Sequence, residues 1–255
     1  MIKIIKYHDN LNFSKKISMN CNARLIWGGD KTINYLKSLP TLERNRDLTF
    51  PDRYSLSILN SDKINKLNSS NLNNLVNSFY NDTYLVDQNA CSSPHLILWH
   101  GKSFEKARNK FWEKVNSVVN SKYSMEESSI IEKYTKLCSD IISLKNIKKV
   151  KSYSNNVHTL LLNKIDKNIH LNKGKWGFFY EYEIENPADL RKYVNSKYQT
   201  LTYFGFAKNE LKKLIKINHL KGIDRIVPIG RALDIDLIWD GYDINNFLTR
   251  TIEIK

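Results

Sequence analysis

Cysteine is scarce in this chain: Cys21, Cys91 and Cys138 are the only three, and they stand far apart. That spacing excludes a disulfide framework and a thiolate zinc site. His8, His100, His158, His170 and His219 share no ligand spacing with one another or with carboxylates, so no metal is expected. No apolar run approaches the ~20 residues of a membrane-spanning helix. The amino terminus, Met1-Ile-Lys-Ile-Ile-Lys6, lacks the apolar core and small-residue cleavage site of a signal peptide, and a cytoplasmic location is the expectation. No Gly-x-Gly-x-x-Gly fingerprint of a dinucleotide site occurs, and no internal repeat is visible.

What is present is enough apolar material for a sizeable core. The hydrophobic share is 41%, with 14 Tyr, 10 Phe and 5 Trp in 255 residues, which excludes a disordered chain and allows one large domain or two smaller ones. The formal charge is +14. Its basic residues are spread along the chain, and the richest run, 145–151, is short and carries no nucleic-acid motif. The abundance of Asn, Lys and Ile reads as a compositional bias, so no specific nucleic-acid partner is expected. A basic surface still attracts anions such as phosphorylated cofactors.

Strand and helix patterns alternate along the chain. Ala23-Arg-Leu-Ile-Trp27 is a strand candidate running into Gly28-Gly29-Asp30, after which Ile33, Leu36 and Leu39 predict a short helix stopped by Pro40, with Asp30 as its N-cap. Such a strand–Gly-Gly–helix unit turns backbone N–H groups toward a phosphate, although a plain tight turn has the same sequence. Residues 47–59 alternate as extended structure, and 60–74, rich in Asn, Ser and Lys, is assigned to a loop or domain crossing. Helices follow over 103–118 and after Ser124-Met-Glu-Glu127, a capping-box pattern. The second helix carries the stripe Ile130, Ile131, Tyr134, Leu137, Cys138, Ile141 and Ile142, which makes Cys138 a core residue. Residues 145–156 read as an exposed basic connection. Strands resume at 158–165, 176–184, 201–206 and 225–229, with helices starting at Asn186-Pro187 and over 209–218. The pattern predicts an α/β fold with a largely parallel sheet.

One thiol stands in a setting unlike the others. Asp87-Gln88-Asn89-Ala90-Cys91-Ser92-Ser93-Pro94 is a short polar loop between a helical pattern (Leu72, Leu75, Val76, Phe79) and the apolar strand His95-Leu-Ile-Leu-Trp-His100. A reactive cysteine sits in polar, reachable surroundings, whereas a structural one lies in an apolar face. Cys91 is the candidate nucleophile, with an idle loop cysteine as the alternative. His95 is four positions on, but it opens a buried strand and is read as a strand-edge or core histidine. Asp224-Arg225 and Asp240-Tyr242-Asp243 are read as ion pairs or turn-formers, and Arg53 either pairs with Asp52 or approaches an anionic cofactor.

Three windows in order carry a further signal. They are Ile26-Trp27-Gly28-Gly29-Asp30-Lys31-Thr32-Ile33 with Phe50-Pro51-Asp52-Arg53-Tyr54-Ser55, then the Cys91 loop, then Gly222-Ile-Asp-Arg225-Ile-Val-Pro-Ile-Gly230-Arg231 with Trp239-Asp240-Gly241-Tyr242-Asp243. Together they resemble the acyl-CoA and acyl-protein thioester reductases of bacterial luminescence systems, relatives of the aldehyde dehydrogenases. The resemblance implies an aldehyde-dehydrogenase-like fold, with Cys91 as the acyl-accepting nucleophile, NADPH as hydride donor, and Gly28, Gly29 and Asp30 bordering the cofactor. It implies a long-chain acyl-CoA or acylated protein as substrate, fatty aldehyde as product, an acyl-protein synthetase as partner, and an oligomer. Aldehyde-oxidising relatives carry a water-activating glutamate near the segment matching Leu48-Thr-Phe-Pro-Asp52, where this chain has none. Family members are nearly twice as long, and the match is to their C-terminal half. Residues 1–59 are therefore expected to be a remnant of the cofactor-binding domain and 60–255 the catalytic domain. The alternative is a non-catalytic or split reductase lacking the full cofactor domain.

Overall fold

Parallel strand pairing organises both of the compact units into which the chain divides, Met1–Asp52 with Asp236–Lys255, and Arg53–Ile235. The computed structural model describes residues 2–8, 10–218 and 220–255. In the first unit, α1 (Leu11–Ser18) precedes β1 (Ala23–Gly28), α2 (Asp30–Ser38) and β2 (Arg46–Pro51). β1 and β2 pair in parallel. Arg24 binds them together: its Nε donates to Asp47 Oδ1 at 2.7 Å and its Nη1 to the Leu36 carbonyl at 2.8 Å. The Arg24 hydrogen bond holds the Asp47 carboxyl below its ordinary range against the opposing effect of burial.

The larger unit contains β3 (Tyr54–Asn60), α3 (Ser61–Asn65), α4 (Ser69–Thr83), β4 (Pro94–His100), α5 (Phe104–Lys122), α6 (Glu127–Ser143), β5 (Ile147–Ser154), β6 (Val157–Leu162), β7 (Phe178–Glu183), β8 (Tyr198–Phe204), α7 (Lys208–Asn218) and β9 (Arg225–Pro228). Its seven-stranded sheet has the order β5-β6-β7-β4-β3-β8-β9. All its pairings are parallel except β5 with β6. The chain then returns to the first unit with the hairpin β10 (Ile238–Trp239) and β11 (Tyr242–Asp243) and with α8 (Ile244–Leu248). His219 lies outside the described residues. No helix among the described residues is long and apolar enough to cross a membrane.

Several expectations are corrected. The Ser/apolar alternation in β3 does not mark a solvated face: Ser55 and Ser57 are as buried as Leu56 and Ile58. A strand at the centre of a parallel sheet is covered on both sides, and here one apolar cluster gathers α4 and α5 on one face while Leu137 of α6 joins the cluster on the other. Residues 60–74 are not a loop but carry α3 and the start of α4. Their asparagines are caps: Asn60 accepts from Lys63 N–H and Asn68 from Asn71 N–H. The basic segment 145–156 is not a connection but holds β5, an edge strand on which lysines discourage pairing with other chains.

Helix α6 begins three residues after Ser124, with Glu126 at the N-cap, and faces the core with a different stripe from the expected one. Ile131, Tyr134 and Ile142 are exposed, while Lys133, Leu137 and Asp140 are buried. The helix is held by polar anchors, because Lys133 Nζ donates to the Trp176 carbonyl at 2.8 Å and Asp140 accepts from Tyr180 Oη. Cys138 is consequently half-buried at the edge of that face and is not a core residue. In α2, Gly29 holds the N-cap position and Asp30 is the first helical residue.

A buried ion pair joins α5 to the sheet. Arg108 and Glu181 are both inaccessible, with Nη2 at 2.6 Å from Oε2, while Glu181 Oε1 accepts from Trp99 Nε1 at 2.8 Å and Trp112 Nε1 at 2.5 Å. Removing one partner leaves a buried charge uncompensated. Glu181→Ala is expected to lower the unfolding free energy by about 3–5 kcal/mol. Glu105→Ala, at a half-exposed carboxylate 3.9 Å from Arg108, is expected to cost under about 1 kcal/mol; urea titration of both variants checks this, and equal losses would refute the assignment.

Candidate active site

Cys91 lies in the turn that feeds β4, half-buried. The residues around the thiol are tied to β3, β8, β4 and β7 and to the end of α4. The Cys91 carbonyl accepts from Ser55 Oγ at 2.6 Å, and that same oxygen accepts from Thr200 N–H at 3.1 Å, so one hydroxyl links the loop to β3 and β8. Ser93 is buried; its N–H donates to the Ala90 carbonyl at 2.9 Å and its Oγ to the Asp82 carbonyl at 2.7 Å. Gln88, also buried, uses both ends of its amide. Its Nε2 donates to the carbonyls of Pro94 (3.1 Å) and Phe178 (3.2 Å), and its Oε1 accepts from Gly177 N–H at 3.1 Å. The backbone upstream is strained, with φ of +53° at Asp87 and +61° at Gln88. Left-handed conformations at such residues cost about 1–3 kcal/mol each and persist only where the surroundings over-determine them.

His95 is a core histidine, as its position in the strand implied. It is buried in β4, with its ring 5.3 Å from that of Tyr54. The third window supplies supports. Asp82, at the end of α4, is buried and accepts from Gly230 N–H at 2.6 Å and Ala232 N–H at 2.9 Å. Gly230 has φ of +96°, and a Cβ there would stand 2.7 Å from Ser78 Cβ. Arg225 holds the turn that follows by donating to the carbonyls of Ala232 and Asp234, both at 2.9 Å. Asp240 and Gly241, with φ of +50° and +78°, form the tip of the β10–β11 hairpin, and Asp243 caps α8 by accepting from Asn246 N–H. Asp224-Arg225 and Asp240–Asp243 include the turn-formers that the sequence suggested.

Gly28, Gly29 and Asp30 are contiguous at the β1–α2 junction of the smaller unit, in the expected strand–turn–helix arrangement. A Cβ on Gly28 would meet Thr32 side-chain atoms at 3.1 Å, whereas nothing lies within 4 Å of the corresponding point on Gly29. The backbone at Gly29 is therefore open to close approach, which suits a wall of a nucleotide site.

Ser55, Thr200, Gln88 and Asp82 support the Cys91 loop without having been singled out in the sequence. Ser55 and Gln88 stand inside the quoted windows, yet nothing local marks their hydrogen-bond partners, which come from distant strands. Asp82 has no sequence signal at all.

The architecture defines a fold class before the sequence defines a family. Solved structures of aldehyde dehydrogenases have the same fold. A benzaldehyde dehydrogenase of Corynebacterium glutamicum superposes with a TM-score of 0.55 at 9% identity, covering 86% of this chain and 48% of that one. A Δ-pyrroline-5-carboxylate dehydrogenase of Mycobacterium tuberculosis, solved with NAD and cobalamin, gives 0.56 at 6% identity, covering 85% and 43%. The fold is aldehyde-dehydrogenase-like. Residues 3–250 match the family model of the acyl-CoA reductase (LuxC), and the chain belongs to that family. A curated relative, the long-chain acyl-protein thioester reductase of Vibrio harveyi, is 22% identical over 222 residues, which are 85% of this chain and 43% of that protein. The chain thus spans less than half the length of that relative.

Two predictions follow from the loop's anchors. Ser55→Ala leaves Thr200 N–H and the Cys91 carbonyl without their shared partner; it is expected to cost about 1–3 kcal/mol in urea unfolding and to speed native-state alkylation of Cys91 by iodoacetamide. An unchanged alkylation rate would show that Ser55 does not hold the loop. Burial raises the Asp82 carboxyl to about 6 against the two N–H donors that favour its charge. The folded chain therefore binds the extra proton between about pH 4 and 6, so ionisation weakens the fold as pH rises through that window. Compared with Asp82→Asn, the wild type should lose about 1–3 kcal/mol between pH 4 and 7; a constant difference between the two would count against it.

Proposed function

We infer that this chain takes the acyl group of a long-chain thioester, an acyl-CoA or acylated protein, onto Cys91, as the first half of an NADPH-dependent reduction to fatty aldehyde. The observation that carries this reading is the family match running through the Cys91 loop, whose thiol is half-buried in a turn anchored to three strands. The Cys91 thiolate attacks the thioester carbonyl, the tetrahedral adduct collapses, and the donor thiolate leaves with the acyl group now on sulfur. In this reading the Cys91 backbone N–H would supply part of the site for the oxyanion of that adduct. Acyl-cysteine keeps the carbonyl activated, and the absence of a glutamate over 48–52 removes one route by which water would hydrolyse it. Gly28, Gly29 and Asp30 would hold one wall of the nicotinamide cofactor, which when bound supplies the hydride that converts acyl-cysteine to a thiohemiacetal. Collapse of that adduct expels the aldehyde and returns the Cys91 thiol. By the same family reading, an acyl-protein synthetase is the partner that delivers the acyl group, in an oligomer, in the cytoplasm.

A second reading, a split reductase that needs a further cofactor-binding portion, is favoured by one feature of the smaller unit. Parallel sheets are ordinarily covered on both faces, yet the β1–β2 pair leaves Leu25 40% and Trp27 59% exposed. On this reading the smaller unit, residues 1–52 with 236–255, contributes a fragment of the cofactor domain and further strands complete it, while residues 53–59, expected to belong with it, stand in the larger unit and carry most of β3.

One experiment addresses both. Incubation with radiolabelled long-chain acyl-CoA should label the wild type and not Cys91→Ala, and equal labelling of the two would sink the nucleophile assignment. Added NADPH should then release aldehyde from a self-sufficient reductase and leave the label in place on a split one.

A further inference from the structure

A cavity of about 110 Å³ opens beside the Cys91 loop, and its wall is cationic. Lys133, Lys136, Lys173 and Lys175 line it together with Trp176 and a single acid, Glu132. Lys133 is the built part of the site. It is 2% exposed, and its Nζ donates to the carbonyls of Asn155 and Trp176. Both acceptors are neutral, so an ammonium is held in the wall by groups that leave its charge uncompensated. Burial lowers it to about 7, and an anion in the cavity would favour its charged form. Lys175 lies over the Trp176 ring at 5.1 Å and reaches Glu132 only at 3.7 Å, with both side chains about half-exposed or more, a weak pairing. Lys136 is paired with Asp140 at 2.7 Å.

The cavity sits at the same end of the sheet as the thiol. Trp176 and Phe178 lead into β7, and Cys91 leads into β4, the neighbouring parallel strand. Trp176 N–H donates to the Asp87 carbonyl at 3.2 Å, and Lys173 Nζ to the Arg53 carbonyl at 2.8 Å, just before β3. The segment 173–176 therefore lies across the N-terminal ends of the strands between β3 and β7, flanking the Cys91 turn on β4. From Asp87 to Cys91 the chain can extend no further than about 14 Å, within the reach of a pantetheine arm. The volume takes a few waters at about 30 Å³ each, or one phosphate group, and not a nucleotide. A larger cleft of about 580 Å³ lies at the opposite ends of β6 and β7, where Glu183, Glu185 and Asp189 disfavour the same anion.

We propose that the cavity lined by Lys133, Lys136 and Lys175 binds a phosphate group on the arm of the thioester donor and so places its acyl sulfur at Cys91. This rests on the reading of Cys91 as acyl acceptor. The shared chemistry is a phosphorylated pantetheine thioester, carried either by CoA or by a carrier protein.

The test has two parts, both on the full chain. In calorimetric titration, free CoA should bind the wild type, and phosphate-free pantetheine should bind at least about tenfold more weakly. Lys136→Gln/Lys175→Gln, with circular dichroism to establish that loss of the Lys136–Asp140 pair leaves it folded, should weaken CoA by about tenfold and leave pantetheine unchanged. Lys133→Met should act in the same direction, with circular dichroism to establish that it folds. Equal affinity for CoA and pantetheine, or CoA binding indifferent to the lysines, would overturn the proposal. The second part compares acyl transfer to Cys91 from acyl-CoA, from an acyl-phosphopantetheinyl carrier protein and from acyl-N-acetylcysteamine. The double variant should slow the phosphorylated donors by a similar factor and spare the N-acetylcysteamine ester; equal slowing of all three counts against it. Slowing with both donors assigns the cavity to the pantetheine phosphate; slowing with acyl-CoA alone would overturn that assignment, since the phosphate bound would then be one peculiar to CoA. If no donor acylates the wild type, the Cys91 reading fails, while the CoA titration still decides the cavity.

Discussion

The arrangement of the larger unit depends on a charge that cannot reach water. Glu181 projects from β7 into the apolar layer between the sheet and α5, where an isolated carboxylate would be prohibitively costly. It is tolerated because four donors converge on it: two nitrogens of Arg108 and the indole N–H groups of Trp99 and Trp112. Arg108 also donates to Thr159 Oγ1 on β6 at 3.0 Å. The network thereby fixes β6, β7 and β4 against one helix with directional bonds, where apolar contacts alone would permit sliding. A hydrophobic replacement could be equally stable; what the ion pair adds is a single register for α5 over the sheet.

That register matters because β4 and β7 are the strands whose first residues hold the Cys91 loop. Two strained turns meet there. Asp87 and Gln88 have positive φ, as do Trp176 and Gly177, and the turns are joined by Trp176 N–H to the Asp87 carbonyl and by Gly177 N–H to Gln88 Oε1. Gly177 is obligatory, since a Cβ would stand 2.1 Å from the Asn156 carbonyl oxygen. Each turn is locked by the other, so strain in one cannot relax without breaking bonds in both. A thiol on such a platform is presented in one geometry, which on the proposed function would limit the entropy lost when a carbonyl is met at attack distance.

The sequence disclosed strand and helix identity wherever the pattern was strong and buried on both sides, as in β4, β6 and β7. It misled where polar residues did interior work. Asn60 and Asn68 looked like loop and are helix caps; the lysines around Lys149 looked like a connection and protect an edge strand. Apart from Leu137, the apolar stripe of α6 lies largely toward solvent because Lys133 and Asp140, polar by composition, make the inward bonds. For the site, the thiol and its loop were legible from local chemistry and from the three windows. Ser55, Thr200 and Asp82 were not, because their roles are set by strand neighbours that no spacing along the chain encodes.

The two halves of the proposed chemistry make unequal demands on this chain. Acyl transfer needs a thiol, a way to hold it and a donor positioned nearby. Cys91, Ser55, Thr200, Gln88 and Asp82 all belong to the unit Arg53–Ile235, which carries its own sheet and core. Hydride delivery needs a second ligand held to within a fraction of an ångström, and the chain offers for it one strand–turn–helix wall, β1 through α2, on a two-stranded sheet. A pair of parallel strands is marginal as a sheet by itself, and Trp27, stacked on Phe50 at 4.4 Å, remains more than half exposed. On the proposed reading, acylation therefore asks only for groups within the unit Arg53–Ile235, whereas reduction also asks for the strand–turn–helix wall of the smaller unit. On the split-reductase reading, the acyl-cysteine would form on the unit that has its own core, and whatever completes the β1–β2 sheet would control its passage to aldehyde.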